Sequence, residues 1–252
     1  SNLQTASLED WRLQVDSRFL MAEHSTAGGA LAIEHFADAR NGLSAGDGAR
    51  FEAVFWECST LSPTWDYLQS STEAGELFGG RSKIVRWERE AGSMAELAES
   101  VKHLNHAAQN WRRGKPLWGR KGAVVNQIGA ATTSYTGEKY DGSCFAIVPN
   151  DDVDALPLLR FAMSGELKKQ LSKINPTWNL KSPKTLLQLQ LDLSKWREQS
   201  EYGYAFPKPY SYDPTQWLFR GNISGSTYPL QVAAARLLGY RWRDQRPDVL
   251  DR

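Results

Sequence analysis

The sequence predicts an α+β fold, with mixed sheets of short strands flanked by helices, and not a doubly wound Rossmann fold. Short apolar or alternating runs cluster between residues 117 and 149 and are separated by glycine-containing turns. Segments with helical periodicity surround this cluster at irregular intervals, whereas parallel α/β folds alternate strands and helices one by one. The composition, 41% hydrophobic and 23% charged over 252 residues, is that of a folded globular protein.

In the N-terminal half, residues 7–23 and 93–110 have the spacing of helices. The second pattern is the clearer one, because four apolar side chains share a face: Leu97, Val101, Leu104 and Ala108. Ser93 and Glu96 form a possible capping box at its start. A strand or short helix is predicted at 28–40, and strands are predicted at 49–57 and 83–87.

The C-terminal half predicts three short strands, at 123–128, 132–135 and 144–148. A helix with an acidic start follows at 151–170, and the Leu/Gln alternation of 185–193 predicts a half-buried strand. The remaining segments are predicted as a surface linker at 202–214 and a short amphipathic helix at 228–240. The sequence therefore divides into one domain over residues 1–200 and a C-terminal linker and helix over 201–252.

The two cysteines, Cys58 and Cys144, lie far apart in apolar contexts. They are expected to be reduced core residues of a cytoplasmic protein, since two cysteines form neither a disulfide framework nor a four-ligand zinc site by themselves. No apolar run approaches the roughly 20 residues that span a bilayer, so no membrane partner is expected.

The usual catalytic and metal-binding motifs are not found in the sequence. The turn Gly46-Asp47-Gly48 lacks the third glycine of a dinucleotide-binding loop. His103 and His106 have metal-ligand spacing without further ligands, so a solvated helix face is the favoured interpretation. The acidic cluster at 151–154 favours a helix start over a magnesium site. We expect no catalytic residue, no metal and no cofactor in this chain.

Charge is unevenly distributed along the chain, although the net charge is only +1. Residues 1–80 carry 4 Arg and Lys against 12 Asp and Glu, whereas residues 81–140 carry 11 against 5. Such segregation allows a basic face on a nearly neutral protein. The alternative is that folding mixes the two segments on one surface.

The stretch 110–139 combines basic, aromatic and small polar residues. Arg and Lys neutralise phosphates and bind guanine edges, Asn and Gln suit adenine, and glycines permit close backbone approach. A nucleic-acid interface is one interpretation, and an ordinary solvated basic loop is the other.

Several motifs resemble the target-recognition region of the large adenine-specific DNA methyltransferases of restriction-modification and phage-defence systems. The resemblance covers residues 28–243 and is carried by five stretches: Gly42–Phe51 with Phe55-Trp56-Glu57, Trp118–Gly122, Thr185–Trp196, Asp213–Gly221 and Leu230–Trp242. Ala45 and Gly48 depart from the family, which usually has Thr and Asn at these two positions.

The resemblance implies a sequence-specific duplex DNA recognition fragment of such an enzyme, with its recognition core at about 81–196. The family's catalytic Pro-Pro loop is missing from the sequence. The implied partners are therefore double-stranded DNA and a catalytic methyltransferase domain of the same parent chain, and S-adenosylmethionine is expected only for that parent.

The residues predicted to bind DNA are Arg81, Lys83, Arg86, Arg112, Arg113, Lys115, Arg120, Lys121, Asn126, Gln127, Thr133, Ser134, Tyr135, Lys139, Lys181 and Lys184. One alternative is an interaction module that docks a partner subunit or the parent's catalytic domain through aromatic surfaces. The other is an enzyme of unrecognised type, which would need a pocket of converging titratable groups.

Overall fold

The computed structural model describes residues 29–58, 63–73, 75–201 and 205–207, together with positions 230, 233, 234 and 237. Within these residues the fold is α+β, as the sequence predicts. The strands are β1 (Leu31–Ala32), β2 (Ala37–Asn41), β3 (Glu52–Val54), β4 (Trp65–Gln69), β5 (Lys83–Arg86), β6 (Gly122–Asn126), β7 (Thr132–Tyr135), β8 (Lys139–Tyr140), β9 (Cys144–Pro149) and β10 (Gln190–Leu191). The helices are α1 (Gly48–Phe51), α2 (Ser93–Ser100), α3 (Ala155–Met163), α4 (Glu166–Ile174), α5 (Lys184–Leu187) and α6 (Leu193–Glu201).

The central sheet has the order β2–β9–β6–β7 and is antiparallel throughout. Its strands β6 and β9 are fully buried, which explains their nearly continuous apolar sequence. Alternate residues face opposite sides: Val125 packs among the helices α3 and α4, and its neighbour Val124 packs on the other side with Leu117 and Tyr140. The core therefore lies on both faces of this sheet.

A second sheet has the order β3–β5–β4–β8. Its pairs are antiparallel except for β4 and β8, which run parallel with Leu68 opposite Lys139. Because β8 follows β7 closely in the chain, it joins the two sheets. The short pair β1–β10 ties the start of the described chain to the segment before α6.

The strand predictions in the middle of the chain are confirmed. The predicted runs at 123–128, 132–135 and 144–148 correspond to β6, β7 and β9, and the run at 83–87 corresponds to β5. The alternation predicted over 49–57 is only partly a strand. Asp47 accepts a hydrogen bond from the Arg50 amide at 3.2 Å and starts the single turn α1, so β3 is limited to three residues.

The helix predicted over 93–110 is wrong in its length and in its cap. Helix α2 ends at Ser100, and Asn105, at φ 48°, separates two short 3₁₀ turns. The Ser93 amide and hydroxyl both donate to the Glu88 carboxylate at 2.7 Å, so the cap comes from outside the helix. Leu104, predicted on the buried face, is 62% exposed.

Two other predictions need correction. The helix expected over 151–170 is divided at Gly165, whose φ of 90° lies in the left-handed region and separates α3 from α4. The strand predicted at 185–193 is instead the turn α5 followed by the two-residue β10. Its buried leucines, at 186, 189, 191 and 193, follow a mixed spacing that fits neither element alone.

The acidic cluster at 151–154 has the structural role predicted for it. Asp151 accepts from the Val153 amide at 3.1 Å, and Asp154, which is buried, forms a bidentate pair with Arg197 of α6. The predicted helix at 7–23 lies outside the described residues. So do most of the predicted linker at 202–214 and of the predicted helix at 228–240, although positions 230, 233, 234 and 237 are helical. No helix in the described ranges is long and apolar enough to cross a bilayer.

Candidate nucleic-acid interface

The segment with the densest predicted contacts, residues 111–121, forms what we call the basic loop. Trp111 and Leu117 anchor it, since both are buried and Trp111 packs on Trp87 with ring centroids 5.2 Å apart. Between these anchors Gly114 has φ +80°, and a Cβ there would lie 2.6 Å from the Tyr140 hydroxyl. Only glycine satisfies both conditions, so the loop follows a single path over the central sheet.

The anchored backbone directs three cations outward. Arg112 Nε lies 3.3 Å and Lys115 Nζ lies 2.7 Å from the same carboxylate oxygen of Glu90. Arg112 also stacks over the Trp111 ring at 4.2 Å. Arg113 is exposed and forms no ion pair with any described residue. One carboxylate thus pairs with two cations while a third cation, Arg113, is left unpaired, so these four side chains carry a net positive charge.

Glu90 is placed by an unusual turn. Residues 88, 89 and 90 have φ values of 50°, 53° and 65°, all in the left-handed region that non-glycine residues rarely adopt. Such conformations cost about 1 kcal/mol or more each, so surrounding contacts must hold the turn. Glu88 supplies some of them through Arg86 and Ser93. The result is an acid held directly against the basic loop.

The two basic residues at the end of the loop differ in their freedom. The Arg120 guanidinium donates to the Asn150 carbonyl at 3.3 Å and to Asp152 at 3.1 Å, as well as to the Pro149 carbonyl. These bonds fasten the entry of β6 to the end of β9. Lys121 is exposed, and its ammonium lies 5.6 Å from the Phe206 ring without an acidic partner in the described chain.

Three of the residues predicted to contact bases are completely buried in the structure: Thr133, Ser134 and Tyr135. The Thr133 hydroxyl donates to the Leu77 carbonyl at 3.1 Å, and the Tyr135 hydroxyl donates to the Glu138 carbonyl at 2.8 Å. Ser134 also donates to Leu77. Thr133 and Ser134 thus hold the segment 77–79 against β7, Tyr135 holds the turn before β8, and none of the three has an exposed surface to offer to DNA.

Two amides of the predicted set also bond inside the protein. Buried Asn126 accepts from the Thr72 amide at 3.1 Å and donates to the Thr72 carbonyl at 2.7 Å. Gln127 is half-buried and donates to the Gly142 carbonyl. Both amides therefore fix loops around the end of β6.

The cations of the second sheet are neutralised by nearby acids. Lys83 lies 3.0 Å from Asp141 and 3.1 Å from Glu52. Lys139 lies 2.6 Å from Asp66 and within 5.0 Å of the rings of Trp87 and Trp118. Arg86 pairs with Glu88 at 2.9 Å.

Two of the basic residues on or beside this sheet have pKa values that differ from their ordinary ones. Burial lowers the pKa of Lys83, but Asp141 and Glu52 raise it more, so the net pKa lies above its ordinary value. Arg81 is 3% exposed and donates to the Gly79 and Ser134 carbonyls, and burial lowers its pKa to about 10. We conclude that Arg81, Lys83, Arg86 and Lys139 stabilise the fold.

A second basic region lies on the helical side of the central sheet. Residues 167–191 contain five lysines and no Asp or Glu, and all five are exposed: Lys168, Lys169, Lys173, Lys181 and Lys184. Lys169 pairs with Glu166 at 3.8 Å, and the other four have no acidic partner among the residues described. Lys181 and Lys184 belong to the predicted set. The other three were missed, although their acid-free run in the sequence could have identified them.

The two basic regions are far apart. The basic loop ends at Lys121, just before β6, and the helical region contacts the turn just after β6 through Lys168 and Ile128. The five residues of β6, at about 3.4 Å each, and the residues on either side of the strand place Lys121 and Ile128 up to roughly 20 Å apart. The structure therefore divides the predicted interface into two surfaces.

His103 lies in one 3₁₀ turn and His106 precedes the next, so the two do not share the helix face predicted for them. His106 Nδ1 accepts from the Ala108 amide at 3.2 Å and caps the turn before the basic loop. No group of three or more His, Cys, Asp or Glu side chains that could hold a metal ion occurs in the described part of the chain.

Comparisons with known proteins give likenesses of structure and none of sequence. No family model matches the chain, and no curated protein sequence matches it. The crystal structure of an HsdS subunit from Thermoanaerobacter tengcongensis is similar with a TM-score of 0.43 and 12% sequence identity, covering 92% of this chain and 52% of that one. The chain thus spans about half the length of that subunit.

Proposed function

We propose that this chain recognises duplex DNA and is the target-recognition part of an adenine-specific DNA methyltransferase. The observation that carries the DNA-binding proposal is the basic loop, which a buried tryptophan, a leucine and Gly114 hold in one conformation while its cations face solvent. The sequence motifs around Gly42–Phe51 and Leu191–Trp196 support the methyltransferase parent.

The loop offers two kinds of contact to a duplex. Arg113 and Lys121 are free to bind phosphates, and each phosphate bound releases counterions, which favours association at low salt. Arg112 and Lys115 must first exchange Glu90 for a phosphate. Arg112 is the candidate for guanine recognition, because its guanidinium is already oriented by Trp111 and presents a rigid fork of donors.

In this proposal the methyl-transfer reaction takes place in the parent's catalytic domain. S-adenosylmethionine would bind there, and the methyl group would be transferred to an adenine flipped out of the duplex. The turn Gly46-Asp47-Gly48 does not fit such a cofactor. Asp47 already caps the single turn α1, so a carboxylate occupies the place where a ligand's anionic groups would bind.

The DNA proposal is tested by fluorescence anisotropy of the chain with a mixed-sequence duplex across a salt series. We expect log Kd to rise linearly with log salt and the slope to fall by about 0.9 for each phosphate contact removed. Replacing both Arg113 and Lys121 with Ala should lower the slope by about two, without a change in the free energy of unfolding. An unchanged slope for this variant would contradict the assignment.

A docking function is the second candidate, and one observation favours it. Leu230 and Leu237 are helical, lie seven residues apart on one face, and are 80% and 89% exposed. An exposed apolar helix face of this kind suits a protein partner, such as the catalytic domain. Changing both leucines to Glu should then abolish copurification with the parent's catalytic domain and leave DNA affinity unchanged.

A further inference from the structure

The turn between β6 and β7 is built as a rigid projection, which we call the tip (residues 127–131). The Asn126 amide donates to the Ala131 carbonyl at 2.9 Å and closes it as a hairpin. A second segment supports it, because the Gly129 amide donates to the Trp178 carbonyl at 2.9 Å and the Leu180 amide donates to the Gln127 carbonyl at 2.8 Å. Both sides of the tip are thus fixed by backbone hydrogen bonds.

The tip presents an apolar side chain to solvent. Ile128 is 73% exposed, although its backbone pairs with Asn179 across the supporting segment. Ala130 and Trp178, on either side of this contact, have φ values of 52° and 53°, which non-glycine residues rarely adopt. A single exposed isoleucine needs no explanation. Ile128 differs from such a residue, because backbone hydrogen bonds on both sides of a strained turn hold it in its exposed position.

Positive charge surrounds this isoleucine. Lys168 lines the same groove of about 340 Å³ as Ile128, and its ammonium lies 5.2 Å from the Trp178 ring. Lys181 follows the supporting segment, and Lys173 lies on the exposed side of α4. Among the residues that line this groove Glu73 is the one acid, and it is exposed. With no Asp or Glu between 167 and 191, the balance remains positive.

We propose that the tip is a second DNA-binding element, in which Ile128 enters a groove of the duplex while Lys168, Lys173 and Lys181 bind the flanking phosphates. An apolar side chain between lysines matches DNA chemically, since grooves offer apolar base and sugar surfaces bordered by phosphates. A protein partner would have to be acidic around an apolar pocket. This inference rests on the proposed DNA-binding function and adds a contact roughly 20 Å from the basic loop.

The test compares two variants in the salt series described above. Ile128→Ala should weaken duplex binding about eightfold at every salt concentration, the effect of losing about half the burial of three carbon atoms. It should leave the salt slope unchanged, because no charge is removed. The double variant Lys168→Gln with Lys181→Gln should lower the slope by about 1.8.

Two matched controls separate the tip from general surface effects. Val153, 70% exposed, provides the apolar control as Val153→Ala. Lys195 lies 5.6 Å from the Trp196 ring, much as Lys168 lies on Trp178, and provides the cationic control as Lys195→Gln. Both controls should bind the duplex as the wild type does. Because all five positions are exposed, thermal melting should show no loss of folding.

The outcomes distinguish this inference from the proposed function. If the wild type binds the duplex and both tip variants bind equally well, the tip contacts something other than DNA, a protein partner being the remaining choice, and the inference fails alone. If the wild type binds no duplex even at low salt, the proposed function and the inference fail together. If the control variants lose as much duplex affinity as the tip variants do, the inference is also overturned.

Discussion

Glu90 provides the most direct test of the basic loop, because removing it should change DNA affinity and stability in opposite directions. Its carboxylate accepts Arg112 and Lys115 at 3.3 and 2.7 Å, and both cations are about half exposed. Phosphates that bind these cations must displace Glu90. In Glu90→Gln the free protein no longer has these ion pairs to give up, so DNA should bind more tightly.

The magnitude follows from the exposure of the pairs. Ion pairs at solvent-exposed positions contribute about 0.2–1 kcal/mol each, so the two together are worth about 1 kcal/mol. Glu90→Gln should therefore tighten duplex binding about fivefold near 0.1 M salt. The free energy of unfolding should fall by about the same 1 kcal/mol, because the pairs stabilise only the folded protein.

The assay combines anisotropy with urea unfolding on the same preparations. Any lost carboxylate raises the net charge by one, so the control must be another paired acid. Glu99, which lies 3.2 Å from Lys102 and is 75% exposed, serves as Glu99→Gln. Equal tightening by both variants would mean that only the net charge matters. An unchanged affinity for Glu90→Gln would refute the loop as the DNA-binding surface.

Three further predictions concern the support of these surfaces. Gly114→Ala should lower the free energy of unfolding by about 2 kcal/mol or more, because it adds a clash with Tyr140 to the cost of φ +80°. Gly119→Ala, at φ +79° with open space around it, should show only the backbone cost of about 1 kcal/mol, and equal losses for the two variants in urea unfolding would exclude the clash. Asn126→Ala should cost about 2–4 kcal/mol, since it leaves the Thr72 amide and carbonyl without their buried partner, and a loss below 1 kcal/mol in the same assay would show that these groups find water. Burial raises the pKa of Cys144 to about 12, so an Ellman assay on the folded protein at pH 8 should detect only Cys58, and both thiols should react after denaturation. Reaction of both thiols in the folded protein would place Cys144 at the surface.

The sheet could be predicted from the sequence because its pattern is local. β6, β7 and β9 are apolar or alternating runs between glycine turns, and those properties belong to each segment by itself. The end of the helix over 93–110 could not be predicted in this way. Its apolar periodicity continues to Ala108, but Glu88, which precedes the helix, sets its start, and Asn105 adopts a left-handed conformation that ends the 3₁₀ turn after it.

The same distinction between local sequence pattern and tertiary contacts applies to the candidate site. Residue type identified a basic, aromatic segment at 111–121, and the structure places it on one surface with a buried support. Residue type could not show that Thr133, Ser134 and Tyr135 point inward. These residues alternate between the two faces of β7, but both faces of this strand are buried. One face is buried because the segment 77–79 packs over it, which is a tertiary contact.

Pairing, more than charge, determines which cations are available to DNA, and pairing is a tertiary property. Lys83 and Lys139 meet acids from distant parts of the chain, 31 and 73 residues away, whereas Lys168 and Lys181 meet none. The richest basic stretch of the sequence therefore keeps fewer free cations than its count suggests, and the acid-free segment 167–191 keeps more. If free charge governs binding, Lys168→Gln should reduce the salt slope by about one, while Lys83→Gln, despite its position in the predicted core, should leave the slope unchanged and lower stability instead.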